Sequence, residues 1–359
     1  MSSIYQEHPL WIPSEQTIKQ ANLTRFMHQL CLTTYEELYQ FSIKNNEEFW
    51  SHLWEFCEII APTKGHILLT HKEAIEKATF FPEARLNFAE NLLRFRGNSI
   101  AIEFYGEDKV RQTFTYEDLY SEVAKIADIL KKWEIKPGDR IAGYLPNLPQ
   151  TVIAMLAAVS MGAIWSSCSP DFGVTGVVDR FGQIEPKILF CADGYYYHGK
   201  KFNTVEKIPE ILQNIPSIEK IVVIPYVDVE FSAADESIFL WDHLVNQSQA
   251  QEISFAHLGF NHPLYILFSS GTTGVPKCIV HRAGGVLLQH LKEHQLHCDL
   301  KPGDRLFYFT TCGWMMWNWL VSGLASGATL VLYDGSPVYP RPDALFDIAE
   351  ASKVTHFGT

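Results

Sequence analysis

Hydrophobic positions change their period along the chain. Between Thr34 and Ile60, Tyr35, Leu38, Tyr39, Phe49, Leu53 and Trp54 recur with the three- and four-residue spacing of an amphipathic helix. Residues 1–90 are rich in Trp, His and Glu and read as a mostly helical N-terminal extension. Beyond them, helix-like stretches (Tyr116–Trp133, Gly285–His297) alternate with short apolar runs of strand length (Ile141–Leu145, Ile164–Ser167, Leu306–Thr310, Thr329–Tyr333). The most apolar run, Val152–Trp165, is shorter than the roughly 20 residues a membrane-spanning helix needs and predicts a buried helix.

The alternation is an internal repeat. Lys-Pro-Gly-Asp-Arg occurs at Lys136–Arg140 and again at Lys301–Arg305. Each copy follows a helix-like stretch and precedes a strand-like run, a long apolar segment and a Gly-Ala pair, Gly162-Ala163 or Gly327-Ala328. Each pair lies 24 residues after the glycine of its own Lys-Pro-Gly-Asp-Arg, and a further strand follows. Pro-Gly is turn chemistry, and the Asp and Arg behind it supply hydrogen bonds to close the turn. Helix, turn, strand, helix, Gly-Ala, strand describes a β-α-β unit. The reading is an α/β fold of two similar subdomains, about 91–260 and 261–359, within one domain spanning 91–359. Ligands of such folds bind near the carboxyl ends of strands.

Composition narrows the ligands. At 359 residues and 47% hydrophobic content the chain buries a large core, and it has no long polar or low-complexity tract. Its formal net charge of -12 excludes a general nucleic-acid binder, so an anionic ligand needs a local cationic spot. The seven cysteines are scattered without a Cys-x-x-Cys pair, which fits reduced thiols. The N-terminus shows neither a basic region nor an apolar core of a leader, and no stretch suggests a membrane partner; the expectation is a cytoplasmic protein.

One loop supplies such a cationic spot. Phe268–Lys277 reads F-S-S-G-T-T-G-V-P-K between the apolar runs Leu264–Phe268 and Cys278–Val280. It is not a Walker A loop, because Gly274 is followed by Val275-Pro276-Lys277 and then Cys278. The chemistry is still that of a phosphate site. Gly271 and Gly274 let backbone N–H groups approach an anion, Ser269, Ser270, Thr272 and Thr273 add hydroxyl donors, and Lys277 adds charge.

The string resembles the phosphate-loop signature of the adenylate-forming enzymes, the group that includes acyl-CoA synthetases, luciferases and the adenylation domains of peptide synthetases. Phe81–Leu93 (F-P-E-A-R-L-N-F-A-E-N-L-L), Ser167–Val174 (S-C-S-P-D-F-G-V) and Thr311–Trp319 (T-C-G-W-M-M-W-N-W) look more specifically like its acetoacetate–CoA ligase branch. The resemblance implies ATP-dependent activation of acetoacetate, or of another short-chain acid, to an acyl-adenylate. Transfer to coenzyme A follows, with release of AMP and pyrophosphate. It makes Lys277, Thr272 and Thr273 catalytic and gives Ser269–Lys277 the leaving phosphates. It places the acyl group against Trp314, Met315, Met316, Trp317 and Gly358, although a Met/Trp cluster is as readily core packing. It assigns coenzyme A to the basic pair Lys200–Lys201, against the plainer reading of a solvated lysine pair.

The resemblance covers only the first part of the family pattern. The chain is therefore expected to lack the later segments with the main Mg²⁺ ligand, the ribose-binding Asp and the C-terminal domain with its catalytic Lys. It is expected not to complete the reaction alone, and a non-catalytic nucleotide- or partner-binding module is the alternative. A remote alternative is a zinc hydrolase, since His290-Leu291-Lys292-Glu293-His294 fits H-x-x-E-H. The expectation is that this helix is structural and holds no metal.

Overall fold

The computed structural model describes residues 11–229, 236–269 and 274–359. In the extension, Thr34 caps helix Tyr35–Lys44: its hydroxyl accepts the Glu37 N–H at 3.2 Å while the Glu37 carboxylate accepts the Thr34 N–H at 2.9 Å. The helical period runs on, but at Asn45 the backbone leaves the helical region and a second helix, Asn46–Phe56, begins. Leu38, Phe49, Leu53 and Trp54 are buried as the spacing predicts. Tyr35 and Tyr39 are not, at 65% and 47% exposed; they flank the narrow stripe that Leu38 buries and form the rim of a groove with Trp50 and Lys292. Trp54 packs on Phe81 and Phe260, with ring centroids 5.0 and 6.2 Å away, and so seats the extension on the rest of the chain.

Both copies of the repeat form the same structure. Strand Arg140–Tyr144, helix Pro149–Ser160 and strand Ile164–Cys168 make the first; strand Arg305–Tyr308, helix Met315–Ser322 and strand Thr329–Asp334 make the second. In each, the turn glycine takes a left-handed backbone, φ +88° at Gly138 and +89° at Gly303. Its N–H donates to the carbonyl of the Gly-Ala glycine, Gly162 at 2.9 Å and Gly327 at 3.0 Å. The aspartates close the turns on the lysine N–H groups, Asp139 on Lys136 at 2.9 Å and Asp304 on Lys301 at 2.8 Å. The strand registers correspond: Arg140 faces Ile164, and Arg305 faces Thr329.

The copies lie in different sheets. The larger sheet runs in space Ile238–Leu240, Lys220–Ile224, Ile188–Ala192, Arg140–Tyr144, Ile164–Cys168, Pro263–Phe268, Cys278–Arg282, and only the last pair is antiparallel. The smaller runs His356–Gly358, Arg305–Tyr308, Thr329–Asp334, Ile100–Gly106, Val110–Thr115, again with only the last pair antiparallel. The sheets therefore do not divide at residue 260. Each is finished by a hairpin from the other side of that point, Ile100–Thr115 in the smaller and Pro263–Arg282 in the larger. The smaller sheet needs the early hairpin because it pairs Thr329–Asp334 with Ile100–Gly106 in parallel.

Helices fill the space between the sheets. Helix Pro149–Ser160 is buried along nearly its whole length, as its unbroken apolar sequence predicts, and packs on strand Ile164–Cys168 and on helix Tyr116–Lys132, which packs on Ile100–Gly106. The outer face of the larger sheet is covered by helices Val174–Ile184 and Ile208–Asn214, that of the smaller by Ala344–Ala351. Strands covered on both faces carry apolar residues at both phases: Leu330 and Leu332 face the inner layer, Val331 and Tyr333 the outer.

The paired turns yield a prediction. Gly138→Ala and Gly303→Ala meet no atom within 4 Å, so only backbone strain opposes them. Each should destabilise by about 1–2 kcal/mol, and by similar amounts. Urea unfolding of the two variants checks this; a loss in one copy only would show that the turns are not equivalent.

Candidate active site

Parallel strands send their carboxyl ends to one edge. Asn147, Ser169, Thr310, Thr311 and Asp334 follow or end the four strands of the two copies, and a cleft of about 470 Å³ lies among them. Its size and its place at strand carboxyl ends are those of a small-molecule site. Tyr195, Tyr196, Tyr197 and Phe202 of the hairpin Gly194–Tyr197/Lys200–Asn203 line one side. Beneath it the copies are tied together. Trp317 Nε1–H donates to Asn147 Oδ1 at 2.9 Å, and the Ser167 hydroxyl donates to the Cys312 carbonyl at 2.7 Å. Burial pushes the Cys312 thiol up, so it is no thiolate nucleophile.

Asp334 is one of two aspartates that line the cleft. Packing around its carboxyl pushes its pKa up to about 7; the Tyr226 hydroxyl, donating at 3.0 Å, opposes the shift, and the nearby Glu107 charge adds to it.

The phosphate-loop candidate follows the carboxyl end of Pro263–Phe268, the strand beside Ile164–Cys168 in the larger sheet, and so opens at the same edge as the cleft. Its neck is closed by two hydrogen bonds: Ser269 N–H donates to the Lys277 carbonyl and Lys277 N–H to Ser269 Oγ, both at 3.0 Å. The side chain of Lys277 is exposed. Gly274 has φ +127° and open space around it. Pro276 is held by Gln183, whose Nε2–H donates to its carbonyl at 2.8 Å. Ser270, Gly271, Thr272 and Thr273 lie outside the described residues.

The candidate acyl residues are spread by the helix that carries them. Trp317 is fully buried under the cleft, and Met316 is partly buried against the core. Trp314 and Met315 are 65% and 42% exposed; Met315 joins Val280, His281, Arg282 and His290 around a trough of about 480 Å³ beside the strand that leaves the candidate loop. Gly358 sits against the Tyr308 ring, and its carbonyl accepts the Phe309 N–H at 2.9 Å, next to the cleft wall. Of the lysine pair, both exposed, Lys201 donates one Nζ–H to the Val227 carbonyl at 2.6 Å.

The His helix has another structure than its spacing suggests. It is α-helical over Ala283–Leu291 and π-helical over Lys292–His297. His290 Nδ1 bonds the Ser322 hydroxyl at 2.7 Å, His294 Nε2–H donates to the Trp319 carbonyl at 2.8 Å, and Glu293 accepts from Gln289. Among the described residues no group of three or more His, Cys, Asp or Glu converges. Burial lowers the two imidazoles to about 3 and about 4. Asn147, Asp334 and the Tyr195–Tyr197 wall escaped the sequence reading, although the first two stand at the ends of repeat strands where the fold rule already pointed.

The model of the AMP-binding enzyme family matches residues 88–359, and that of the acetyl-coenzyme A synthetase N-terminus matches residues 35–92. An acetoacetyl-coenzyme A synthetase of Rhizobium meliloti (strain 1021) is 47% identical over 98% of this chain and 55% of its own length. A malonamoyl-CoA synthetase of Penicillium aethiopicum is 43% identical over 87% of this chain and 45% of its own. The solved acetoacetyl-CoA synthetase from Streptomyces lividans superposes with a TM-score of 0.93 at 41% identity, over 98% of this chain and 55% of that one. The chain thus spans about half the length of the relatives it matches.

The shifted carboxyl and imidazoles predict opposite pH dependences. Asp334 binds its proton more tightly folded (about 7) than unfolded (3.8), so its contribution to stability is full in acid and is lost as pH rises toward 7. His290 and His294 bind protons less tightly folded than unfolded (6.5), so theirs is full above about 6.5 and lost as pH falls toward 4. Asp334→Asn should therefore gain on the wild type between pH 5 and pH 8, and His290→Gln/His294→Gln should gain on it from pH 7.5 down to pH 5. Thermal midpoints across this range check both; gaps that stay constant with pH would contradict the assignments.

Proposed function

The chain belongs to the AMP-binding enzyme family, and we propose that it supplies the acid-activating and thiol-receiving surfaces of a short-chain acyl-CoA synthetase. The carboxylate oxygen of the acid attacks the α-phosphorus of ATP and pyrophosphate leaves. The sulfur of coenzyme A then attacks the acyl carbon, the thiol proton is lost, and AMP leaves. Acetoacetate is the acid we favour. The acetoacetyl and malonamoyl groups named in the relatives both carry a carbonyl at the third carbon, and this β-carbonyl is the feature we expect to be read.

The observation that carries the reading is one of placement. The glycine- and hydroxyl-bearing loop with Lys277 opens at the same sheet edge as the cleft built by the two repeats. No protein nucleophile is required; positioning and charge at the phosphates supply the rate. Lys277, on an exposed neck held by Ser269, meets the charge that builds on departing pyrophosphate. The trough beside Met315, with His281 and Arg282 on its wall, suits the acyl carboxylate before activation. The cleft beside Tyr195–Tyr197 suits the arm of coenzyme A, with Lys200 toward its phosphates. Among the described residues no three or more His, Cys, Asp or Glu come together, and no step here runs through a metal. All seven cysteines are free thiols, which supports a cytoplasmic location.

In the protein as its gene encodes it, Lys277→Ala should slow acetoacetate-dependent exchange of pyrophosphate into ATP by roughly a hundred- to thousandfold, the typical effect of removing one donor from a preorganised anion site. Acid binding should be nearly unchanged. Gly274→Val should act similarly, because φ +127° is closed to a β-branched residue. Thr272→Ala should have a smaller effect, since neighbouring hydroxyls substitute in part. Exchange at the wild-type rate in Lys277→Ala would remove the loop from the phosphate site.

A further inference from the structure

One carboxylate beside the cleft has no part in the proposed chemistry. Glu107 is 6% exposed and lies in the turn between strands Ile100–Gly106 and Val110–Thr115 of the smaller sheet. Its own N–H donates to the Asp334 carbonyl at 3.0 Å, which extends the parallel pairing one residue past Gly106. Its backbone is left-handed, φ +46°, a conformation that a residue with a Cβ holds only when its surroundings fix it. The surroundings are three backbone amides. Oε1 accepts from His198 at 2.7 Å and from Ser336 at 3.0 Å; Oε2 accepts from Gly199 at 2.8 Å. No ion pair involving Glu107 appears among the described residues. Three charge-assisted hydrogen bonds stand in for the water it lost.

The donors identify what is held. His198 and Gly199 form the two-residue tip between Tyr197 and Lys200; both have positive φ, 54° and 75°, the pattern of a type I′ hairpin turn. That hairpin carries Tyr195, Tyr196, Tyr197 and Phe202, one wall of the cleft. Ser336 follows Gly335, which also lines the cleft, and a Cβ at Gly335 would collide with the Glu107 side chain. One carboxylate thus fixes the aromatic hairpin to the end of the second repeat, and with it the width of the cleft mouth. Tyr195 and Phe202 stack at 5.0 Å within the hairpin, so the wall moves as a unit or not at all.

We propose that Glu107 is a positioning residue that holds the aromatic hairpin at the distance from the second repeat needed to bind the coenzyme A arm. This rests on the function proposed above, and the test separates the two. Glu107→Ala leaves three backbone amides without their acceptor, that of Ser336 buried and those of His198 and Gly199 partly so; Glu107→Gln keeps an oxygen for His198 and Ser336 but presents an amide group to the Gly199 N–H. In the protein as its gene encodes it, hydrogen exchange at 198, 199 and 336 should quicken by roughly tenfold or more in Glu107→Ala. The calorimetric dissociation constant for coenzyme A should rise by a similar factor. The constant for ATP should stay within about twofold of wild type, and Glu107→Gln should recover most of both losses. Amides that stay protected in Glu107→Ala, or amides that open while coenzyme A affinity is unchanged, overturn the proposal. A parallel loss of ATP affinity would show a merely structural residue. A wild-type protein that binds ATP but not coenzyme A removes the ligand assignment and this proposal with it; one whose amides at 198, 199 and 336 respond to Glu107→Ala but that binds neither ligand contradicts the proposed function while the clamp itself stands.

Discussion

The hydrogen bond from a turn glycine to a Gly-Ala glycine, made once in each copy, sets the frame on which everything else stands. It joins the start of one strand to the start of the next across a buried helix and so fixes two parallel pairs in one register. A right-handed β-α-β crossover has little freedom once its strands are paired. The same sequence device, used twice in two sheets, therefore delivers four carboxyl ends to one cleft. The two sheets hold their relative position through groups that cross between copies: the Tyr116 hydroxyl donates to the Ala328 carbonyl at 2.8 Å, and Trp317 reaches Asn147.

Charge is distributed over this frame with a consistent logic. A chain of net charge -12 offers anions few places. Under the proposed function, Lys277, exposed at the neck closed by Ser269, supplies such a place. The chain's own carboxylates near the cleft are dealt with differently. Glu107 is bound by three amides, whereas Asp334 is raised until it is half protonated near neutrality.

Period and turn chemistry made the repeat, its strands and the buried helix Pro149–Ser160 legible in the sequence, because both faces of a parallel strand and all sides of an inner helix must be apolar. The proposed phosphate loop stood out in the sequence because its residue types have few other uses in such density. Three things were not. The assignment of hairpins to sheets depends on a non-local pairing, Ile100–Gly106 with Thr329–Asp334, that no local pattern records. The break at Asn45 and the π-helical turn at Lys292–His297 leave the apolar spacing nearly intact, so Tyr35, Tyr39 and the His pair were placed in regular helices. Glu107 was invisible because its partners are backbone amides, which are present at every residue and distinctive only once the chain is folded.

The central claim is that the two repeats build one ligand site, with the phosphate loop at its edge. The most direct measurement is a crystal structure of the protein with a non-hydrolysable acetoacetyl-adenylate analogue. The account predicts the adenylate at the shared strand edge, its phosphate mimic toward the Ser269–Lys277 neck and its acyl end toward the Thr310–Met315 segment. An analogue bound instead in the groove between the N-terminal helices and Lys292–His297, with the strand edge empty, would contradict it.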